Sequence, residues 1–373
     1  MKTSKAVLYL LAAFTCTVSV AAPPAKPPPA PPKVDIAYLS ISSSTTTSWP
    51  PIAIRGIDVS DAGASSADVE LWRSTNRHPS AIAWDPDGRY LAWAEGIDNR
   101  GTRALMVATP GQVPRVAYVF SNTGIYKSNL ADGLAWGRGC GSTPVLYFWG
   151  VQYSTNWSTV WVIDPFAALV QPYQVAAPPG PPIGERGGTL HGLAVSPLGR
   201  TLVFGAYSYE LGDRAAVALP LTCSSADALP EPAGPAQPLF AARYGQEQAW
   251  FQGFDWSSDG RRIAVAMGRW VPTSAGSALQ YDPELWIADL NYVASDGAEQ
   301  VTVASLTHSA AGVTTFPSWA PVTSGATCNR LAFMRSGVVW LHDVPRDGFS
   351  GADCAIGTPT MIGGKAVVAL DWR

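Results

Sequence analysis

The stretch Ala81-Ile82-Ala83-Trp84-Asp85-Pro86-Asp87-Gly88-Arg89-Tyr90-Leu91-Ala92-Trp93 decides the fold of this chain. An apolar run ends in Trp. A tight polar turn with Pro and Gly comes next, and a second apolar run begins. The form recurs from Gly192 to Phe204, with Ser196-Pro197-Leu198-Gly199 at the turn, and from Gly253 to Val265, with Ser257-Ser258-Asp259-Gly260. The turn chemistry is local. A short polar side chain bonds nearby backbone, and Gly takes the positive φ that other residues avoid. Self-similarity at a long period means that each unit buries its apolar face against the next.

Working outward, the anchor position falls at Trp84, Trp136, Val195, Trp256, Trp319 and Trp372, at intervals of 52, 59, 61, 63 and 53 residues. Each anchor before the last is followed by a second strand: 90–93, 145–149, 201–204, 262–266 and 330–334. Third strands come at 104–108, 160–164, 215–219, 285–289 and 338–342. Weaker fourth strands come at 115–120, 170–175, 237–241 and 301–306. Four short antiparallel strands per unit predict a propeller blade. At the front, 35–40, 54–59 and 69–73 read as second, third and fourth strands with no first strand before them. At the back, Ala366-Val-Val-Ala-Leu-Asp-Trp-Arg373 reads as a first strand alone. The expectation is all-β: a six-bladed β-propeller over 34–373, of four-stranded antiparallel blades, its ring closed when the C-terminal strand completes the N-terminal blade. Closure leaves no dangling sheet.

The pattern Trp-Asp-Pro-Asp-Gly-Arg at 84–89 and Trp-Ser-Ser-Asp-Gly-Arg at 256–261, each followed later by a strand such as Val160-Trp-Val-Ile-Asp164, resembles the WD40-like PD40 repeat of TolB-type six-bladed propellers. Ser196-Pro-Leu-Gly199 lacks the Trp and the Asp. Trp136-Gly-Arg-Gly-Cys140 and Trp319-Ala-Pro-Val322 keep the Trp but carry longer turns. The resemblance covers most of 34–373 and implies a TolB-like fold. The repeated Asp87 and Asp259 are read as turn residues, not as an acid-base pair.

Composition agrees with many short strands. Charged residues make up 14% of 373 residues, against the usual ~25%, and Gly and Pro number 35 and 32. A formal charge of -3 lacks the basic stripe that a nucleic-acid surface needs. Met1-Lys-Thr-Ser-Lys5 is a positive n-region, 6–20 is apolar, and Val20-Ala21-Ala22 offers small residues for cleavage. Residues 1–22 therefore read as a secretory signal peptide, with no other stretch suited to span a membrane. Residues 23–33 read as an extended Pro-rich tether. The expectation is an exported chain, periplasmic or secreted, soluble after cleavage.

Four cysteines come after the signal segment, an even count that suits disulfides in an exported protein. Cys140 and Cys328 fall in turns between first and second strands, and Cys223 and Cys354 just after third strands. All four belong to one rim. The topology favours Cys328 with Cys354 inside the last blade, and Cys140 with Cys223 between neighbouring blades. With no Cys-x-x-Cys and no nearby His, no metal site and no cofactor are expected.

No Gly-x-Ser-x-Gly elbow, phosphate loop or His-Glu-x-x-His occurs, so no catalytic residue is assigned. His78, His191 and His308 lead into first strands, but at offsets of 6, 4 and 11 residues from their anchors. The non-repeating connections on the rim opposite the cysteines collect aromatic and Arg residues, a composition typical of binding hot spots. The candidate binding residues are Trp270, Tyr281, Tyr153, Trp157, Tyr207, Tyr244, Arg77, Arg186, His78 and His191, and 267–282 reads as the main contact loop. The expected role is a monomeric, non-catalytic binding or scaffold module for an envelope protein or peptide. The alternatives are a carbohydrate-active lyase or hydrolase and a sugar-binding module. The enzyme reading requires two acidic or His side chains converging on one pocket.

Overall fold

The computed structural model describes residues 34–41, 52–59, 68–73, 80–96, 103–120, 125–126, 133–141, 143–152, 157–176, 191–208, 213–241, 243–244, 247–248, 250–272, 279–293, 299–305, 314–321, 328–345, 360–363 and 367–372. They form six antiparallel blades in a ring. Blade two is the plainest, running from inside to outside through Ser80–Trp84, Leu91–Gly96, Arg103–Ala108 and Arg115–Val119. Blade three is built on Leu134–Arg138, blade four on His191–Val195, blade five on Trp250–Trp256 and blade six on Thr314–Trp319. Blade one takes its inner strand, Val367–Trp372, from the far end of the chain. That strand pairs with Ile36–Ile41, which pairs in turn with Ile52–Ile57. The expected closure is therefore present, with Ile36 opposite Trp372 on one side and Ile57 on the other.

The described residues have no single central core. Among them, six apolar clusters lie one between each pair of neighbouring blades. Leu105, Val107, Trp136, Phe148 and Ile163 fill the wedge between blades two and three. Tyr38, Ile57, Leu341, Val367 and Leu370 fill the wedge between six and one. A blade thus buries both of its faces, so its inner strands read as near-continuous apolar runs rather than as alternation. The low charge content has its origin in the same geometry. The anchors Trp84, Trp136 and Trp319 are buried in these wedges, each at 4–6% exposure, where a large aromatic contributes most to packing.

The repeated turn forms as the sequence predicts. Gly88, Gly199 and Gly260 take φ of 63°, 68° and 72°. Asp85 Oδ1 accepts the Arg89 and Tyr90 amides, both at 2.5 Å, and Ser196 and Ser257 accept the equivalent amides in their blades. Asp87 does more than turn the chain: it accepts from Arg89 at 2.8 Å and from Arg138 of the next blade at 3.0 Å. Cys140 and Cys223 are bonded and tie blade three to blade four. Cys328 is disulfide-bonded, and Cys354 lies outside the described residues.

Candidate functional site

The six inner strands touch one another in cyclic order and enclose a central cavity of about 380 Å³. Its wall mixes polar and apolar surface: Ala83, Trp84, Trp136, Phe254 and Phe316 contribute, with Asp255 and Asp371 among them. Four inner strands carry a left-handed residue three places before the anchor, namely Ala81, Gly192, Gly253 and Phe316. At each of these points the register to the second strand shifts. A bulge of this kind bends a strand and re-aims the side chains beyond it. Gly253, at φ 135°, and Gly192, at 68°, meet the requirement without a Cβ. At Ala81 and Phe316 the left-handed backbone costs about 1–2 kcal/mol each.

The residue just before the anchor changes in polarity around the ring. It is Ala83, Ala135 and Ala194 in blades two, three and four, and Asp255, Ser318 and Asp371 in blades five, six and one. The polar three fasten each blade to the next through backbone amides. Asp255 Oδ2 accepts the Trp319 amide at 2.6 Å, and Oδ1 accepts the Trp256 amide at 2.9 Å. Ser318 Oγ accepts the Trp372 amide at 2.9 Å and donates to Asp371 Oδ1 at 2.7 Å. Asp371 Oδ2 accepts the Trp84 amide at 2.6 Å. A chain of bonds therefore runs from blade five through six and one to two.

Both carboxylates are partly exposed, but the surface they expose faces a narrow channel walled by protein. Such a site desolvates charge much as full burial does. Burial, and after it the charge of Asp371, pushes Asp255 well above the ordinary carboxylate range. Burial pushes Asp371 up to about 6, against the pull of the Trp84 amide and Ser318. Two coupled carboxylates of this kind titrate as a pair.

Sequence reasoning missed this cluster, because Asp255 and Asp371 look like ordinary strand residues next to an anchor. The signal is present as the change from Ala to Asp or Ser at one fixed offset. Of the sequence-predicted binding residues, Tyr153, Arg77, Arg186 and His78 lie outside the described residues. The others sit on strands. Trp157 is opposite Gln152, Tyr207 opposite Arg214, Tyr244 opposite Glu247 and His191 opposite Gly205. The stretch 267–282, expected as a contact loop, is instead largely hairpin. Arg262–Pro272 and Leu279–Val293 pair through Pro272 and Leu279, which sets Trp270 opposite Tyr281. The alternation Arg269-Trp270-Val271 against Gln280-Tyr281-Asp282 suits a strand pair as well as a loop. Among the described residues, no group of three or more His, Cys, Asp or Glu side chains is placed to hold a metal ion.

No family model and no curated protein matches the chain. Solved structures do. TolB from Acinetobacter baumannii is similar with a TM-score of 0.55 at 14% identity, over 91% of this chain and 66% of that one. The chain thus spans slightly less than two thirds of that TolB. A chain of the nidogen/laminin complex gives 0.50 at 9% identity, over 91% of this chain and 98% of that one. Prolyl oligopeptidase B from Galerina marginata gives 0.45 at 10% identity, over 88% and 41%. At these identities the likeness is one of fold, that of TolB-like six-bladed propellers.

Proposed function

We propose that this chain is an exported, non-catalytic β-propeller that binds a protein or peptide partner in the cell envelope. In this reading residues 1–22 are a cleaved leader, 23–33 a tether, and 34–373 the binding module, acting as a monomer in the periplasm or outside the cell. The TolB-like fold supports a protein-binding role. The Cys140–Cys223 bond suits an oxidising compartment, and no described helix is long and apolar enough to cross a membrane.

The observation that carries the reading is the blade-five hairpin. Its strands run 11 and 15 residues, against 6 each for the corresponding pair in blade two. The extension adds nothing that a ring needs, and its register sets Trp270 opposite Tyr281. Aromatic residues are enriched among binding anchors. The test is to isolate a partner from native envelope extract, identify and repurify it, and titrate it against the propeller. Trp270→Ala with Tyr281→Ala should weaken binding at least tenfold, or about 1.4 kcal/mol. Unchanged affinity sinks the hairpin assignment. N-terminal sequencing of the mature protein tests the leader.

One observation favours the carbohydrate-active alternative: Asp255 and Asp371 both reach the central cavity. Against it, each carboxylate already accepts two hydrogen bonds that hold the ring together. Turnover of envelope glycans that is lost in Asp371→Asn would establish the enzyme; glycan binding without turnover would establish the sugar-binding module.

A further inference from the structure

The bonds that fasten blades five, six, one and two cross the place where the two ends of the chain meet. Asp371 sits on Val367–Trp372, the strand held to Ile36–Ile41 by register alone and not by a connecting turn. Its carboxylate is bonded to blade six through Ser318 and to blade two through the Trp84 amide. Asp255 holds blade six from the other side through the Trp319 amide. Ser318, at 1% exposure, stands between the two. Its hydroxyl has one proton and so can donate to one carboxylate at a time.

We propose that Asp255 and Asp371, bridged by Ser318, form a proton-controlled latch across the seam of the ring, closed when the pair holds a proton and loosened when both carboxylates are charged. With one proton on the pair, blade six is flanked by one negative charge, and the bridge carries a full set of donors. With none, two like charges face the same narrow channel and repel each other across the seam that both carboxylates span. The groups on the packed strands do not relieve this. Tyr38 is bonded to Asp68, Asp85 feels Asp87, Arg262 pairs with Asp289, Arg330 pairs with Asp343, and Arg335 lies over the Trp340 ring. His342 in blade six feels Asp343. The charge that acts on Asp255 is that of Asp371.

Linkage sets the direction of the effect. Both carboxyls keep their protons to higher pH in the fold than in the unfolded chain. Between the two values the fold binds more protons, so stability falls as pH rises through that window. For Asp371 the window runs from about 3.8 to about 6. The latch is therefore tight in mild acid and loose at neutral pH. This does not depend on the proposed binding role.

Amide hydrogen exchange on the full chain at pH 5 and pH 7.5 tests it, with rates corrected for intrinsic pH dependence. Protection of the Trp84, Trp319 and Trp372 amides should fall roughly tenfold or more on going to pH 7.5, the effect of one unit of pKa displacement. The Trp136 amide, in the alanine half of the ring, should move less than about twofold on the same scale. Asp255→Asn should abolish the difference between the two halves. If all four amides respond alike, or if Asp255→Asn keeps the wild-type response, the latch is wrong. Should that variant fail to fold, the unaltered protein still decides. Its infrared spectrum must show a protonated carboxyl band that persists to about pH 6, in line with Asp371. Loss of every such band by pH 5 overturns the proposal.

Discussion

Ala83, Ala135 and Ala194 occupy in one half of the ring the position that Asp255, Ser318 and Asp371 occupy in the other. The fold is the same in both halves, but the fastening differs. In the alanine half, neighbouring blades are joined by indole-to-carbonyl bonds, Trp136 to Ala83 at 3.0 Å and Trp149 to Gly192 at 3.2 Å, and by the Cys140–Cys223 bond. In the polar half they are joined by carboxylates and a hydroxyl that take backbone amides. The first set does not change charge between pH 4 and 8, and the second does. One architecture therefore joins its blades by charge-neutral bonds in one half and by titratable groups in the other.

The sharpest way to break the comparison is to weaken the alanine half covalently. Cys140→Ser opens a bridge between residues 83 apart in sequence. A loop of that length corresponds to about 2–5 kcal/mol. Calorimetry should show that loss unchanged between pH 5 and pH 7.5. A loss under ~1 kcal/mol, or one that varies with pH, would mean that the halves are not independently fastened.

A smaller effect is expected at the bulge. Gly192→Ala places a Cβ 2.3 Å from the Phe254 ring at φ 68°, and should cost about 2–4 kcal/mol by overpacking plus backbone strain. Gly111→Ala is the control. Its φ is 79° with nothing within 4 Å, so strain alone remains, about 1 kcal/mol. Equal losses in urea melts would show that packing against Phe254 contributes nothing.

These positions also show what the sequence could and could not yield. The blade count, the closing strand and the Cys140–Cys223 pair were legible, because each rests on order along the chain and on turn chemistry that is local. Gly88 had to be a turn glycine wherever the blade sat. The role of Asp371 was not legible, because its partners, Trp84 and Ser318, are 287 and 53 residues away. A carboxylate next to an anchor Trp looks the same whether it faces solvent or a channel. The Phe316 bulge was hidden for the opposite reason: no sequence rule places a bulky residue at φ 52°, and only the surrounding wedge holds it there. The aromatic hairpin was visible as composition but not as strand, since its alternation is brief.

His342 offers a finer test within the polar half. It is buried in blade six, and neither ring nitrogen has a hydrogen-bond partner among the described residues. Burial pushes its pKa down, against the pull of Asp343. The fold thus binds fewer protons than the unfolded chain at this site. Its contribution is intact above the ordinary His value of 6.5 and is lost as pH falls below it. That sign is opposite to that of the carboxylate pair, so the two partly cancel in a whole-protein melt. His342→Leu removes two unsatisfied polar atoms and should be close to neutral at pH 7.5. At pH 5 it should be more stable than wild type, as the acid penalty disappears. A variant with the wild-type pH profile would show that His342 does not titrate with folding.

The smallest effect should come from Asp87, on the alanine side. It pairs with Arg89 and Arg138 across blades two and three, but all three side chains are 37–57% exposed. Water and salt screen such pairs, and long side chains lose entropy in forming them, so exposed pairs contribute under ~1 kcal/mol. Asp87→Asn should therefore shift the urea midpoint by less than Gly111→Ala does, with the shift vanishing at high salt. If it instead matched the loss from Cys140→Ser, the alanine half would also be held by charge. The contrast between a half joined by charge-neutral bonds and a half joined by titratable groups would then fail at its simplest point.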